Sequence, residues 1–230
     1  MFLIKIFRFT LQLKVLYMSN ETKYLEDLSQ IRNMMEKSTR FLSLSGLSGI
    51  FVGAVALVGA AFAQYYYTEF MNVRSDYQST LHSHNLFVTL KIRYYVIAAF
   101  VLTTALLGGY YFTARKAKKQ GQAIWTKTSK ILLINLFVPL AAGGVFCLGL
   151  IYHGAHGFIA PGMLIFYGLS LFGSSKFTFD EIRWLGICEI LLGLIALFFI
   201  GHGLIFWSIG FGLLHIIYGA AMYVKYDLNK

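Results

Sequence analysis

"ARKAKKQGQAIWTKTSK", residues 114 to 130, places six lysines and arginines between two long apolar runs. Such a block is either a nucleic-acid or acidic-partner surface on a soluble domain, or the basic loop of a membrane protein. The rest of the chain decides. Hydrophobic residues make up 57% of the 230 positions and charged residues only 13%, with a mean hydropathy of +0.64, a combination foreign to soluble domains of this length. The formal charge of +10 is spread over short segments between apolar runs rather than along one soluble face. The expected partner is the lipid bilayer, and no nucleic-acid partner is expected.

Six apolar runs follow one another, at roughly 42–66, 94–113, 131–151, 159–173, 185–201 and 204–223. A helix needs about 20 residues at ~1.5 Å each to cross the hydrocarbon. The fourth and fifth runs are short and lean on flanking aromatics such as Tyr152, Phe158 and Trp184, which suit the interface. "GHG" at 201–203 predicts a tight turn between the last two. The expected fold is all-α, a six-helix transmembrane domain over 42–223, with a cytoplasmic tail at 224–230.

Lysine and arginine set the orientation. Residues 1–41 hold seven, 114–130 six, 174–184 two and the C-terminal tail two, against Arg74, Lys91 and Arg93 in the segments of the other parity. The positive-inside rule therefore places both termini in the cytoplasm. The loop 67–93 is then external.

"MFLIKIFRFTLQLKVLY", residues 1–17, is apolar and basic but too short to span, and it lacks a small-residue cleavage site. It reads either as a surface-lying anchor or, preferably, as sequence upstream of a natural start at Met18. From Met18 to 41, Tyr24, Leu28, Ile31 and Met35 form one apolar face of a cytoplasmic amphipathic helix, capped by Ser19 or Asn20. That face suits the bilayer surface or, through residues 20–41, a partner protein or second copy.

Small residues mark a packing seam. Ser45, Gly49 and Gly53 recur every four residues in "SLSGLSGIFVGAVALVGA", a row that lets two helix backbones approach closely. An intramolecular seam is preferred over a dimer contact. Short glycine-interrupted blocks, "GIFVGAVAL", "GGVFCLGLI" and "EILLGLIAL", recur in the odd-numbered helices and suggest three helical hairpins.

Two resemblances attach to these residues. "WLGICEILLGLIALFFIGHGLIFWSIGFGLLHIIYGAAMY" resembles the hairpin repeat of HdeD-type acid-resistance membrane proteins. "SLSGLSGIFVGAVALVGA", "KFTFDEIRWLG" and "GFGLLHIIYG" together resemble a family of uncharacterised six-helix membrane proteins from Bacteroidota, often labelled automatically as beta-carotene monooxygenases. The resemblance implies a six-helix fold in the bacterial inner membrane. It implies no activity, and no motif in this chain supports the oxygenase label.

Polar residues inside apolar runs are the candidate site. Glu189, His215 and Asn135 fall at comparable depths toward the basic side, with Glu189 and His215 only ~5 Å apart in depth at ~1.5 Å per residue. Together they form a candidate proton-responsive cluster, because histidine ionises near neutral pH. The competing reading is that Glu189 merely fastens the last two helices together.

Five histidines, His82, His84, His153, His156 and His202, fall on the external side and are the metal or haem candidates. "YHGAHGF" at 152–158 equally suits a polar turn, and neither "HExxH" nor the histidine boxes of membrane di-iron oxygenases occurs. No metal or cofactor is expected. Cys147 and Cys188 differ in depth by about 20 Å, beyond the ~7 Å reach of a disulfide.

The chain carries no "GxxxxGKS/T", no "GxSxG", no "CxxC" and no soluble domain large enough for a nucleotide. The leading expectation is a non-enzymatic membrane protein of stress-response or regulatory type. The alternatives are a small transporter or channel using Glu189, His215 and Asn135, and a metalloenzyme using the external histidines.

Overall fold

A computed structural model describes residues 44–76 and 80–228, with side chains described over 44–72 and 88–228. The segments 1–17 and 18–41 lie outside the described residues. Among the described residues all regular structure is helical. Helix α1 is Gly46–Asp76, α2 Thr80–Lys119, α3 Lys127–Tyr152, α4 Ile159–Ser174 and α5 Glu181–Ala196. Single 3-10 turns, His156–Phe158 and Ser175–Phe177, flank α4. The last helix, α6, covers Gly203–Leu228 and alternates between two geometries, α over Gly203–Trp207 and His215–Met222, π over Ser208–Leu214 and Tyr223–Leu228.

Among the described residues five helices are long and apolar enough to cross a membrane: Gly46–Asn72, Val88–Lys119, Lys127–Tyr152, His156–Phe177 and Gly203–Leu228. The chain is a multi-pass, all-α membrane protein. The exception is α5, whose 16 residues cover about 24 Å against ~30 Å of hydrocarbon. The fifth run is helical only to Ala196, and residues 197–202 form a six-residue turn rather than the tight "GHG" expected. Gly201, at φ +99°, supplies the left-handed step that returns the chain into α6.

Two other boundaries move. The segment 67–93 is helical wherever it is described, not an extended loop. Glu69 of α1 and Arg93 of α2 pair across it at 2.8 Å, with the Arg93 guanidinium over the Tyr66 ring. The expected tail from 224 continues α6 to Leu228, because its side chains are tied to other helices.

Glycine decides which helices touch. In lipid no hydrophobic gain brings helices together, so association rests on close backbone packing. Along α1, a Cβ on Gly49 would lie 2.9 Å from Gly219 Cα, and one on Gly53 would lie 2.6 Å from Gly212 O. The seam read from Ser45, Gly49 and Gly53 thus faces α6 of the same chain. An equivalent seam joins α4 to α5, where a Cβ on Gly168 would meet Gly186 O at 2.6 Å.

As a result α6 packs mainly on α1, and α5 mainly on α4. The hairpins α1–α2 and α3–α4 form as the internal pattern suggests. The third is looser, because each of its helices prefers a glycine seam elsewhere.

The basic end is knotted by side chains. Asp227, near the end of α6, pairs with Lys116 of α2 at 2.7 Å and accepts from the Gly46 N–H and the Ser45 hydroxyl at the start of α1. A carboxylate at a helix N-terminus satisfies orphan N–H groups there. Lys116 also donates to Leu44 O. Beside this knot Glu181 of α5 accepts from Tyr226 and pairs with Lys225.

Candidate functional site

Where α4, α5 and α6 meet, Glu189 is completely buried and His215 nearly so. Glycine makes room for them. Gly210, in the π-helical part of α6, has no side chain where a Cβ would lie 2.5 Å from Glu189 Oε2 and 2.4 Å from Leu164 Cδ2. Its carbonyl accepts from His215 Nδ1 at 2.9 Å.

The imidazole is fully specified. Because Gly210 O can only accept, Nδ1 carries the proton, and Nε2 then accepts from the Tyr167 hydroxyl at 2.7 Å. Tyr167 of α4 also stacks on the imidazole, with centroids 5.4 Å apart and planes at 29°. Phe211 lies against both rings, and Trp207 extends the stack by 5.2 Å from Phe211. Three aromatic rings and the imidazole therefore form one continuous group.

Glu189 is the unsatisfied member. Its Oε1 lies 3.5 Å from His215 Nδ1, beyond good hydrogen-bond distance, and among the described residues neither carboxyl oxygen has a hydrogen-bond partner. An unpaired carboxylate buried in hydrocarbon is heavily penalised. The cluster is electrically neutral as a whole when Glu189 and His215 share one ionisable proton, whichever residue holds it.

Among the described residues no hydrogen bond or ion pair ties Asn135 to this cluster. Its side-chain amide donates to Ile131 O of its own helix at 2.9 Å, a back-bond one turn away. Helix α3 packs mainly on α4, and similar depth does not by itself make a contact. Tyr167 takes the third place instead. Its signal in the sequence was a phenol in the middle of an apolar run, which must find a partner when buried.

The histidines of the turns sit differently. His153, His156 and His202 are exposed. "YHGAHGF" is a helix stop: Gly154, at φ +74°, donates to Ile151 O, and Ala155 donates to Leu150 O, the paired bonds of a Schellman cap. The side chains of His82 and His84 lie outside the described residues. Among the described residues no three histidine, cysteine, aspartate or glutamate side chains group as metal ligands. Cys147 and Cys188 are both free.

No protein-family model, no curated protein and no solved structure matches the chain. Fold and site define it as a multi-pass membrane protein with a buried carboxyl–imidazole–phenol cluster.

Proposed function

We propose that this chain is a non-enzymatic, proton-responsive membrane protein of regulatory type, resident in a bacterial inner membrane with its basic end in the cytoplasm. One observation carries the reading. The Glu189 carboxyl, sealed from water and without a hydrogen-bond partner among the described residues, stands beside the His215 imidazole. Gain or loss of one proton there leaves a net charge in a low-dielectric junction, a cost that packing must relieve.

The element placed to respond is the π-helical stretch Ser208–Leu214, which holds Gly210 and leads into His215. Such stretches are rare, and often mark functional positions. A change in charge at the pair alters the His215 to Gly210 bond and with it the winding of α6. Through the Gly53–Gly212 and Gly49–Gly219 contacts, α1 receives the change. The resemblance to six-helix Bacteroidota membrane proteins supports the bacterial placement.

Trp207 offers a direct test, since its ring stacks on Phe211. In reconstituted Trp125→Phe/Trp184→Phe protein, Trp207 emission should change between about pH 5 and about pH 8, the range where histidine titrates. Glu189→Gln and His215→Ala should each abolish the change. A flat profile in the parent, or an unaltered one in both variants, overturns the proposal.

A second reading, a small proton-coupled transporter, is favoured by the same two unfilled carboxylate acceptors. Proton flux in proteoliposomes that is lost in Glu189→Gln would select it.

A further inference from the structure

We propose that the basic end of α2 holds one anionic phospholipid. The site is an open groove of about 580 Å³ lined by Tyr111, Ala114, Arg115, Lys118, Gln122 and Ile124. Its far wall is fixed by the end of α2. Gly121, at φ +62°, donates to Lys118 O, and Gln122 donates to Ala117 O, so a Schellman cap folds residues 122–124 back beside the last turn.

The groove matches a phospholipid in the order of its polarity. Leu107, Tyr111, Arg115 and Lys118 follow one another at spacings of four, four and three on one face of α2. Leu107 and Tyr111 are exposed apolar surface suited to an acyl chain, and the two cations lie at the end where the headgroup phosphate would sit. Exposed Trp125 follows immediately, a residue suited to headgroup depth. Helix α2 is also the least buried of the membrane-length helices, so lipid has free access to this face.

Charge complementarity singles out the ligand. Lys116, between the two cations in sequence, is already neutralised by Asp227, and Lys225 by Glu181. Arg115 and Lys118 take part in none of the ion pairs among the described residues. Two cations unpaired among the described residues, at the mouth of an apolar groove at the basic end of a membrane protein, suit a phospholipid of net negative charge rather than one whose phosphate is balanced by its own headgroup cation.

Native mass spectrometry of the full chain in detergent tests this by titration with phosphatidylglycerol, phosphatidylcholine and inorganic phosphate. One phosphatidylglycerol should be retained, and Arg115→Gln/Lys118→Gln should weaken it about ten-fold or more. Lys127→Gln/Lys130→Gln removes the same charge from the neighbouring helix start and should leave the affinity unchanged. Tyr111→Ala should weaken the lipid without affecting net charge. Equal losses in the two double variants, equal retention of phosphatidylcholine, or displacement of the lipid by inorganic phosphate would overturn the assignment.

Discussion

His153, His156 and His202 stand in turns at one end of the molecule, whereas His215 stands in the middle of a helix junction, and the two settings give the same side chain opposite roles. At the turns the backbone is satisfied by glycine-assisted caps, and the imidazoles are exposed. At the junction both ring nitrogens are bonded, and the ring packs against a phenol and a phenyl group that also touch each other. Number of histidines therefore says little. Position relative to the glycine seams says more, because the seams bring Tyr167, Glu189 and His215 to one point.

The seams themselves give the largest expected effect. Gly219→Val would press a side chain into Ile50 N and Gly46 O, 2.5 Å and 2.7 Å from the Cβ position. Overpacking of this kind against backbone should cost at least about 3 kcal/mol, read as a collapse of thermal stability in detergent. Gly149→Val provides the contrast, since nothing lies within 4 Å of its Cβ position. A loss there beyond about 0.5 kcal/mol would mean that glycine content, not the seam, governs stability.

Next comes the basic-end knot. Asp227→Asn weakens a pairing shared by Lys116, Ser45 and the Gly46 N–H, and should cost about 1.5–3 kcal/mol, the range for hydrogen bonds to charged groups. Lys116→Met should cost a similar amount, and the two losses should not add. Additive losses would show that α1 and α2 are held independently of the end of α6.

The central cluster should respond more mildly in stability than in behaviour. Tyr167→Phe removes one hydrogen bond between α4 and α6, worth roughly 0.6 to 1.7 kcal/mol in membrane proteins, while keeping the ring stack. In the cycle Tyr167→Phe with His215→Ala, the double variant should lose less than the sum of the singles. Strict additivity would place the two residues in separate environments.

At the turns the smallest effect is expected. His153→Gln/His156→Gln should change stability by no more than about 0.5 kcal/mol and leave metal content unaltered. A stoichiometric metal lost in that double variant would erase the distinction between the two histidine settings.

Much of this was legible in the sequence, for physical reasons. Apolar runs report helices because a backbone in lipid must bond to itself, and Ser45, Gly49 and Gly53 report a seam because small residues permit close approach. Glu189 and His215 could be linked from depth alone, being on consecutive helices. Asn135 shares their depth but bonds back to Ile131 O of its own helix, since depth fixes a residue's height but not the side of the helix it faces. Tyr167 was missed because its partner depends on α4 meeting α6, a contact between helices that are not neighbours in the chain. The end of α5 at Ala196 was hidden as well, because "LFFI" at 197–200 is as apolar as a helix yet turns, with Ile200 set against Gly157 in the 3-10 turn that precedes α4.

The account rests on Glu189 and His215 sharing a proton, and infrared difference spectroscopy of the reconstituted protein between about pH 5 and about pH 8 tests this most directly. A pH-linked carboxyl band that disappears in Glu189→Gln and is displaced in His215→Ala is the predicted result. A spectrum with no such band, or a Glu189 band indifferent to His215→Ala, would contradict it.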